Sequence, residues 1–197
     1  MNKIKLIKIF TILFLMPSFI SSCIQKIEAP QAKPAIENSS ELPDWVLNPQ
    51  SDEGVTAVGI AAKSRGGIQF QIPKAELNGK SNIASIIQSK ISRLTKNSLR
   101  SASVNDNEDI EDFFAQATKE VVKDLPLSGI KRINLHQGKD GTLYVQMLLT
   151  NKDYTSFIAN GQKTFESMLK QSNIGQGNIN KSQEASKALF DELANEK

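Results

Sequence analysis

Reactive side chains are scarce in this chain. Its 197 residues include one cysteine, one histidine, one tryptophan and two tyrosines, and aromatic residues make up only 6%. A lone cysteine excludes an internal disulfide framework. With a lone histidine, His136, it also disfavours zinc sites of the usual ligand sets, so no metal is expected. Phosphate-binding glycine motifs are missing as well. Gly59 and Gly66-Gly67 lie in a stretch without GxGxxG or Gly-Lys-Ser/Thr, and Gly175-Gln176-Gly177 follows a helical pattern instead of a strand. Without a Gly-x-Ser-x-Gly elbow, a Ser-His-Asp hydrolase built on His136 is a remote alternative, and no catalytic residue is assigned. No uncharged apolar run reaches the roughly 20 residues of a membrane-spanning helix.

A shorter apolar run is present. Lys3, Lys5 and Lys8 form a cationic head, and Ile9 to Ile20 is uncharged over about a dozen residues, the size of a signal-peptide core. It ends in Ile20-Ser21-Ser22-Cys23, which resembles a bacterial lipobox: a branched apolar residue, two small residues, then cysteine. The resemblance implies cleavage after Ser22 and a thioether-linked diacylglycerol on Cys23, with its new amino group acylated in many such proteins. Each buried methylene contributes about 0.8 kcal/mol and two or more chains hold stably, so the mature chain would sit on a membrane without crossing it. The competing reading is an ordinary secretory signal cut nearby, leaving a free thiol. Ile24 is not aspartate, which by the same resemblance argues for the outer membrane of a bacterial envelope. Residues 1–22 are thus the signal peptide, and the covalent lipid on Cys23 takes the place of a cofactor.

Charge of one sign is lacking once the signal is set aside. The chain carries 24 Lys and Arg against 21 Asp and Glu, and without Lys3, Lys5 and Lys8 the two signs balance. No overall field remains to recruit nucleic acid. Residues 23–43, with Pro30, Pro34, Pro43 and few apolar side chains, read as the lipidated N-terminus and a flexible tether with a root-mean-square span of about 25 Å.

The folded part follows. Leu42 to Pro49 is expected to be extended, because Pro43 and Pro49 disfavour helix before them, with Trp45 and Val46 or Leu47 packing inward. Gly54 to Ala62 reads as a strand with a face of small residues, Ala57, Gly59 and Ala61 beside Val55, against which a helix can lie closely. The helix expected there, about Lys74 to Asn97, repeats Ile83, Ile86, Ile87, Ile91 and Leu94 at three and four. A polar loop ending in Asn105-Asp106-Asn107-Glu108-Asp109 fails the EF-hand spacing and instead supplies helix-capping groups for the stripe Ile110, Phe113, Phe114, Ala117, Val121 and Leu125, stopped by Pro126. Ser128 to His136 and Thr142 to Thr150 form a hairpin around Lys139-Asp140-Gly141. Helices are expected over Asp153 to Lys170 and, after a Gly-Asn linker from Asn173 to Asn180, through the C-terminal stripe of Ala185, Leu189 and Leu193 with Phe190 beside it. That stripe either docks on its own domain or serves as an assembly surface.

Pro43-Asp44-Trp45-Val46, then Val58-Gly59, then Gly79-Lys80-Ser81-Asn82-Ile83-Ala84, then Asp140-Gly141-Thr142-Leu143-Tyr144 resemble, in order and spacing, the LPP20 family of bacterial lipoproteins. Pro43, Asp44, Trp45, Val46, Val58, Gly59, Asp140, Gly141 and Tyr144 are expected to be motif positions that pack the core. The fold expected is α+β: a small antiparallel sheet wrapping a long amphipathic helix, in the order strand, helix, helix, strand, strand, followed by C-terminal helices. Residues 44–152 would form the LPP20-like domain and residues 153–197 a helical C-terminal segment; the strand order is open. The resemblance implies a non-enzymatic envelope component, a surface antigen or a flagella-associated outer-membrane protein, that assembles with itself or with other envelope proteins. The alternative is a binding module that captures a small ligand or host molecule in the groove between helix and sheet.

Overall fold

The computed structural model describes residues 42–104, 107–172, 174 and 176–196. The segments expected to be signal peptide and tether, up to residue 41, lie outside them. The architecture is α+β, with a three-stranded antiparallel sheet carrying a long helix on one face. The elements are α1 (Asp44–Leu47), β1 (Gly54–Ala61), α2 (Ile68–Ser101), α3 (Glu108–Lys123), β2 (Lys131–Gln137), β3 (Leu143–Thr150), α4 (Asn151–Gln171) and α5 (Gln176–Asn195). Sheet order is β1-β3-β2, so the last strand of the hairpin is central and both other strands are edges.

The segment expected to be extended is helical in its middle. Pro43, at φ −58° and ψ 148°, precedes the turn Asp44–Leu47, and Pro49 constrains only Asn48 before it, leaving room for four helical residues between. Trp45 and Val46 are half-buried and Leu47 is exposed, so this segment rests on central strand β3 without being a core anchor.

Central strand β3 shows the alternation foreseen for it. Leu143, Val145, Met147 and Leu149 all face the helix and are buried. The turn before it is closed by Gly138 N–H donating to the Thr142 carbonyl and Gly141 N–H to that of Gly138, with Gly141 at φ +83°. A type I turn followed by a left-handed glycine is the usual form of such a loop. Strand β2 begins at Lys131, three residues later than expected, because Leu127–Gly129 forms a 3-10 turn after Pro126. A register irregularity between Arg132 and Asn134 places a bulge at Ile133.

Helix α2 is longer than its stripe suggested. It starts at Ile68 and carries Pro73 inside, with Gln71 holding the early turns: its buried amide donates to the carbonyls of Ala62 at 3.0 Å and Gly141 at 2.9 Å. Such tertiary bonds offset the one helical hydrogen bond that proline forfeits. The buried positions Gln71, Ala75, Gly79, Ile83, Ile87 and Ile91 step by four. At 3.6 residues per turn that spacing advances about 40° per step, so the buried stripe winds around the helix. Its first part therefore faces β1 and β3 and its last part faces α3 and α5. Ile86 falls off this path and is exposed.

The remaining helices complete the core. Asn107 caps α3 by accepting from Ile110 N–H at 3.2 Å, and Thr150 ends β3 while capping α4 through Asp153 N–H at 3.2 Å. Phe113, Phe114, Phe165 and Phe190 stack edge to face with centroids 4.8–5.9 Å apart, joining α3, α4 and α5. Helix α5 starts at Gln176, inside the stretch expected to be linker. Leu189, Phe190 and Leu193 are buried against the domain itself, which corrects their assignment as an assembly surface: a stripe this apolar is covered within the chain by α2 and α4. The C-terminal helices share the core of the sheet domain.

Candidate functional site

The residues singled out by the sequence fall into three groups. Ile20, Ser21, Ser22 and Cys23 lie outside the described residues. Among the motif positions Gly59 alone is buried. Pro43, Trp45, Val46, Val58, Gly141 and Tyr144 are half-buried and Asp44 and Asp140 are exposed, so the expectation of core packing holds for Gly59 and is corrected for the rest. Asp140 works in the turn: its carboxylate accepts from the Thr142 hydroxyl at 2.7 Å and the Thr142 amide at 2.9 Å, and these bonds hold its pKa below the usual carboxylate range.

Gly59 is part of an arrangement that sequence alone did not show. A methyl placed on Gly59 would lie 1.9 Å from the Ala75 carbonyl oxygen and 2.5 Å from Gly79 N. Helix and strand thus meet backbone to backbone at a glycine pair. On either side of the pair an asparagine of α2 reaches the outer edge of β1: Asn78 Oδ1 accepts from Ile60 N–H at 2.9 Å, and Asn82 Nδ2 donates to the Val58 carbonyl at 2.8 Å. Those are edge groups with no strand partner, and the two amides, four residues apart on one helix face, take its place. Among the described residues strand β2 has no such cover. Its residues are exposed except for half-buried His136, and Ile133 and Leu135 are 40% and 41% accessible.

His136 faces Tyr144 across the hairpin, ring centroids 6.4 Å apart, and among the described residues its buried Nε2 has no hydrogen-bond partner. Among those residues no hydroxyl or carboxylate is bonded to it, so they assemble no Ser-His-Asp arrangement there. Among the described residues no cluster of three or more His, Cys, Asp or Glu could hold a metal ion.

Two concave regions lie between helices, not between helix and sheet. One, of about 550 Å³, separates the end of α2 from the start of α3. Lys96 and Arg100 form one wall and Glu111 and Asp112 the other, above Leu99 and Ala115, and no ion pair spans the gap among the described residues. The second, of about 560 Å³, lies between α4 and α5 over Leu169 and Ile179. Opposed charges above a small apolar floor suit a compact zwitterion better than a simple anion or cation.

A polar cluster fastens the end of α5. Arg93 donates to both Glu196 carboxylate oxygens at 2.8 and 2.6 Å, and Lys90 donates to the Glu196 backbone carbonyl. The Arg93 hydrogen bonds, followed by the Arg93 and Lys90 charges, hold the Glu196 carboxyl below its ordinary range. Lys90 is pushed down chiefly by burial and stands 5.4 Å from the centre of the Tyr154 ring. Tyr154 donates to the Leu193 carbonyl at 3.2 Å, and burial pushes its phenol up to about 12. Every group here is engaged in holding α5 on α2 and α4, so the cluster is a fastening and not a reactive centre. Compared with known protein families, curated proteins and solved structures, the chain matches none of them.

Proposed function

We propose that this chain is a lipid-anchored component of a bacterial envelope whose folded domain has a structural or assembly role and performs no catalysis. The observation that carries the proposal is Ile20-Ser21-Ser22-Cys23 at the end of a short apolar run behind three lysines. The resemblance to LPP20 proteins adds the outer membrane as its place and a surface or flagella-associated complex as its setting. The unpaired β2 edge, with Ile133 and Leu135 on it, is the surface that best supports assembly with another copy or another envelope protein, because an uncovered strand is a template for pairing.

The test is fractionation and cross-linking of whole cells expressing the chain or its Cys23→Ser variant. The parent should pellet with membranes and cross-link into larger species, while the variant should be released. A variant that stays in the membrane refutes the anchor, and a parent that remains strictly monomeric refutes the assembly role. Loss of motility on deletion, with the rest of the envelope intact, would support the flagellar version.

A second reading is a binding module, and the groove between α2 and α3 is the observation that favours it. Thermal shift against zwitterionic envelope fragments is its test, and no shift with any of them would end it.

A further inference from the structure

The first half of α2 presents an outer face on which exposed apolar side chains stand beside cations. Phe70 and Leu77, two turns apart, are 56% and 70% accessible, the two most exposed large apolar side chains among the described residues. Lys74 lies between them, four residues after Phe70 and three before Leu77, so all three share one face of the helix. The Phe70 ring packs on Gly66, where a methyl would meet it at 2.4 Å, and this brings the preceding loop with exposed Arg65 to the same end. Among the described residues neither Arg65 nor Lys74 has an ion-pair partner. The one carboxylate of this half-helix, Glu76, is occupied by Arg132 at 2.7 Å. Aromatic and aliphatic tips beside unpaired cations are what binds the boundary of an anionic bilayer, where the apolar groups enter and the cations meet headgroup phosphates.

We propose that the face formed by Arg65, Phe70, Lys74 and Leu77 docks on an anionic lipid surface. This rests on the anchor proposed for Cys23, which adds the occupant: about 20 residues between the lipid and the domain, with the root-mean-square span of about 25 Å expected of a coil of that length, would keep the membrane within reach. Charge decides against a second copy, since the same face on two chains would set cation against cation. The lipid chains and this face are then two membrane attachments, and the second orients the domain so that the uncovered β2 edge is held at a defined angle to the bilayer.

The test uses the full chain with Cys23→Ser, which removes the lipid and the native thiol together, and a single new cysteine carrying an environment-sensitive fluorophore. Ser81→Cys places the label on the docking face one turn beyond Leu77, and Ile133→Cys places it on β2. Vesicles with an anionic phospholipid should shift the emission at position 81 to the blue and leave that at position 133 unchanged. Vesicles of neutral phosphatidylcholine should shift neither. Adding Arg65→Gln and Lys74→Gln should weaken the response at position 81 about 30-fold, the effect of two interfacial cations. An equal shift at both positions, an equal response to neutral vesicles, or a shift at position 81 that grows with protein concentration without vesicles would each overturn the proposal. If fractionation shows that Cys23 is not acylated while position 81 still responds, the anchor fails and the docking face stands.

Discussion

Substituting Gly59 by alanine tests the contact on which the fold turns. The new methyl would lie 1.9 Å from the Ala75 carbonyl oxygen, 2.5 Å from Gly79 N and 2.8 Å from Gly79 Cα, and every one of those atoms is backbone. No rotamer change relieves such a clash. Helix α2 must retreat from the sheet by on the order of 1.5 Å, which forfeits dispersion contacts along its buried stripe. The same retreat takes Asn78 and Asn82 from 2.9 and 2.8 Å beyond hydrogen-bonding distance of Ile60 N–H and the Val58 carbonyl. Overpacking costs about 1–3 kcal/mol and each lost hydrogen bond about 1, so the expected loss is about 4 kcal/mol. At roughly 2–4 °C per kcal/mol this lowers Tm by about 8–16 °C. Gly79→Ala is the informative control. Its methyl meets Cγ of buried Met147 at 2.4 Å, a side-chain atom that repacking can move, and Gly59 backbone only at 3.2 Å, while alanine is favoured over glycine in a helix by about 1 kcal/mol, so its net cost should stay below that of Gly59→Ala. Urea titrations of both variants in the Cys23→Ser chain, followed by circular dichroism, measure the difference. A Gly59→Ala chain within 1 kcal/mol of its parent, or one more stable than Gly79→Ala, would refute the close approach of α2 to β1.

Removing the amide of Asn82 (Asn82→Leu) should cost about 1 kcal/mol and expose the β1 edge, so light scattering near the unfolding midpoint should rise relative to the parent. Asn107→Ala should cost about 1 kcal/mol through loss of the α3 cap, measured by urea titration, with Asn107→Asp retaining most of it. The Glu196 carboxyl has a folded pKa below its unfolded one, so its contribution is present above the ordinary carboxylate range and is lost as pH falls through the lowered value; Glu196→Gln should flatten that acid limb in amide exchange of α5. Tyr154 has the opposite sign. With its pKa raised to about 12, it stabilises the fold below the phenol's unfolded value and loses that contribution as pH rises toward 12, so in a Tyr144→Phe chain absorbance should report a phenol resistant to ionisation until then.

Repetition in the sequence carried most of the architecture. The three-and-four spacing from Ile83 to Leu94, the stripe from Ile110 to Leu125 and the alternation from Leu143 to Leu149 became buried faces, with Ile86 exposed and Phe113 half-buried as the departures, because a single period decides which side of an element turns inward. The failures have one cause in common, tertiary contacts that outweigh local chemistry. Pro73 marks a helix boundary by itself, yet Gln71 bonded to the Gly141 carbonyl carries α2 back to Ile68. Gly-Asn composition from residue 173 reads as linker, yet burial of Ser182, Ala185 and Leu189 pulls helix into it. Asn78 and Asn82 resemble any solvated pair on a helix. Their role depends on β1, some twenty residues earlier, and the one sequence sign of it is that they bracket Gly79 while Val58 and Ile60 bracket Gly59.

That last contact separates resemblance from function. The segments expected from the sequence to be family motif positions serve as structural devices: a glycine pair that lets helix meet strand, the Asn82 amide on an open edge, an Asp140 carboxylate that closes a turn. Residues used in this way transmit a fold and leave the partner unspecified. Whatever distinguishes this chain must lie on surfaces the fold does not consume. Among the described residues such surfaces include the β2 edge with Ile133 and Leu135, the charged groove between α2 and α3, and the outer face of α2 around Phe70, Lys74 and Leu77. Variants there leave the core untouched, so they should change association or membrane binding without changing Tm by more than a few degrees. A Leu135→Lys chain that lost its cross-linked species with unaltered thermal unfolding would assign assembly to β2. The same result from Phe70→Ser with Leu77→Ser would assign it to α2 instead, and would remove the argument that this face belongs to lipid.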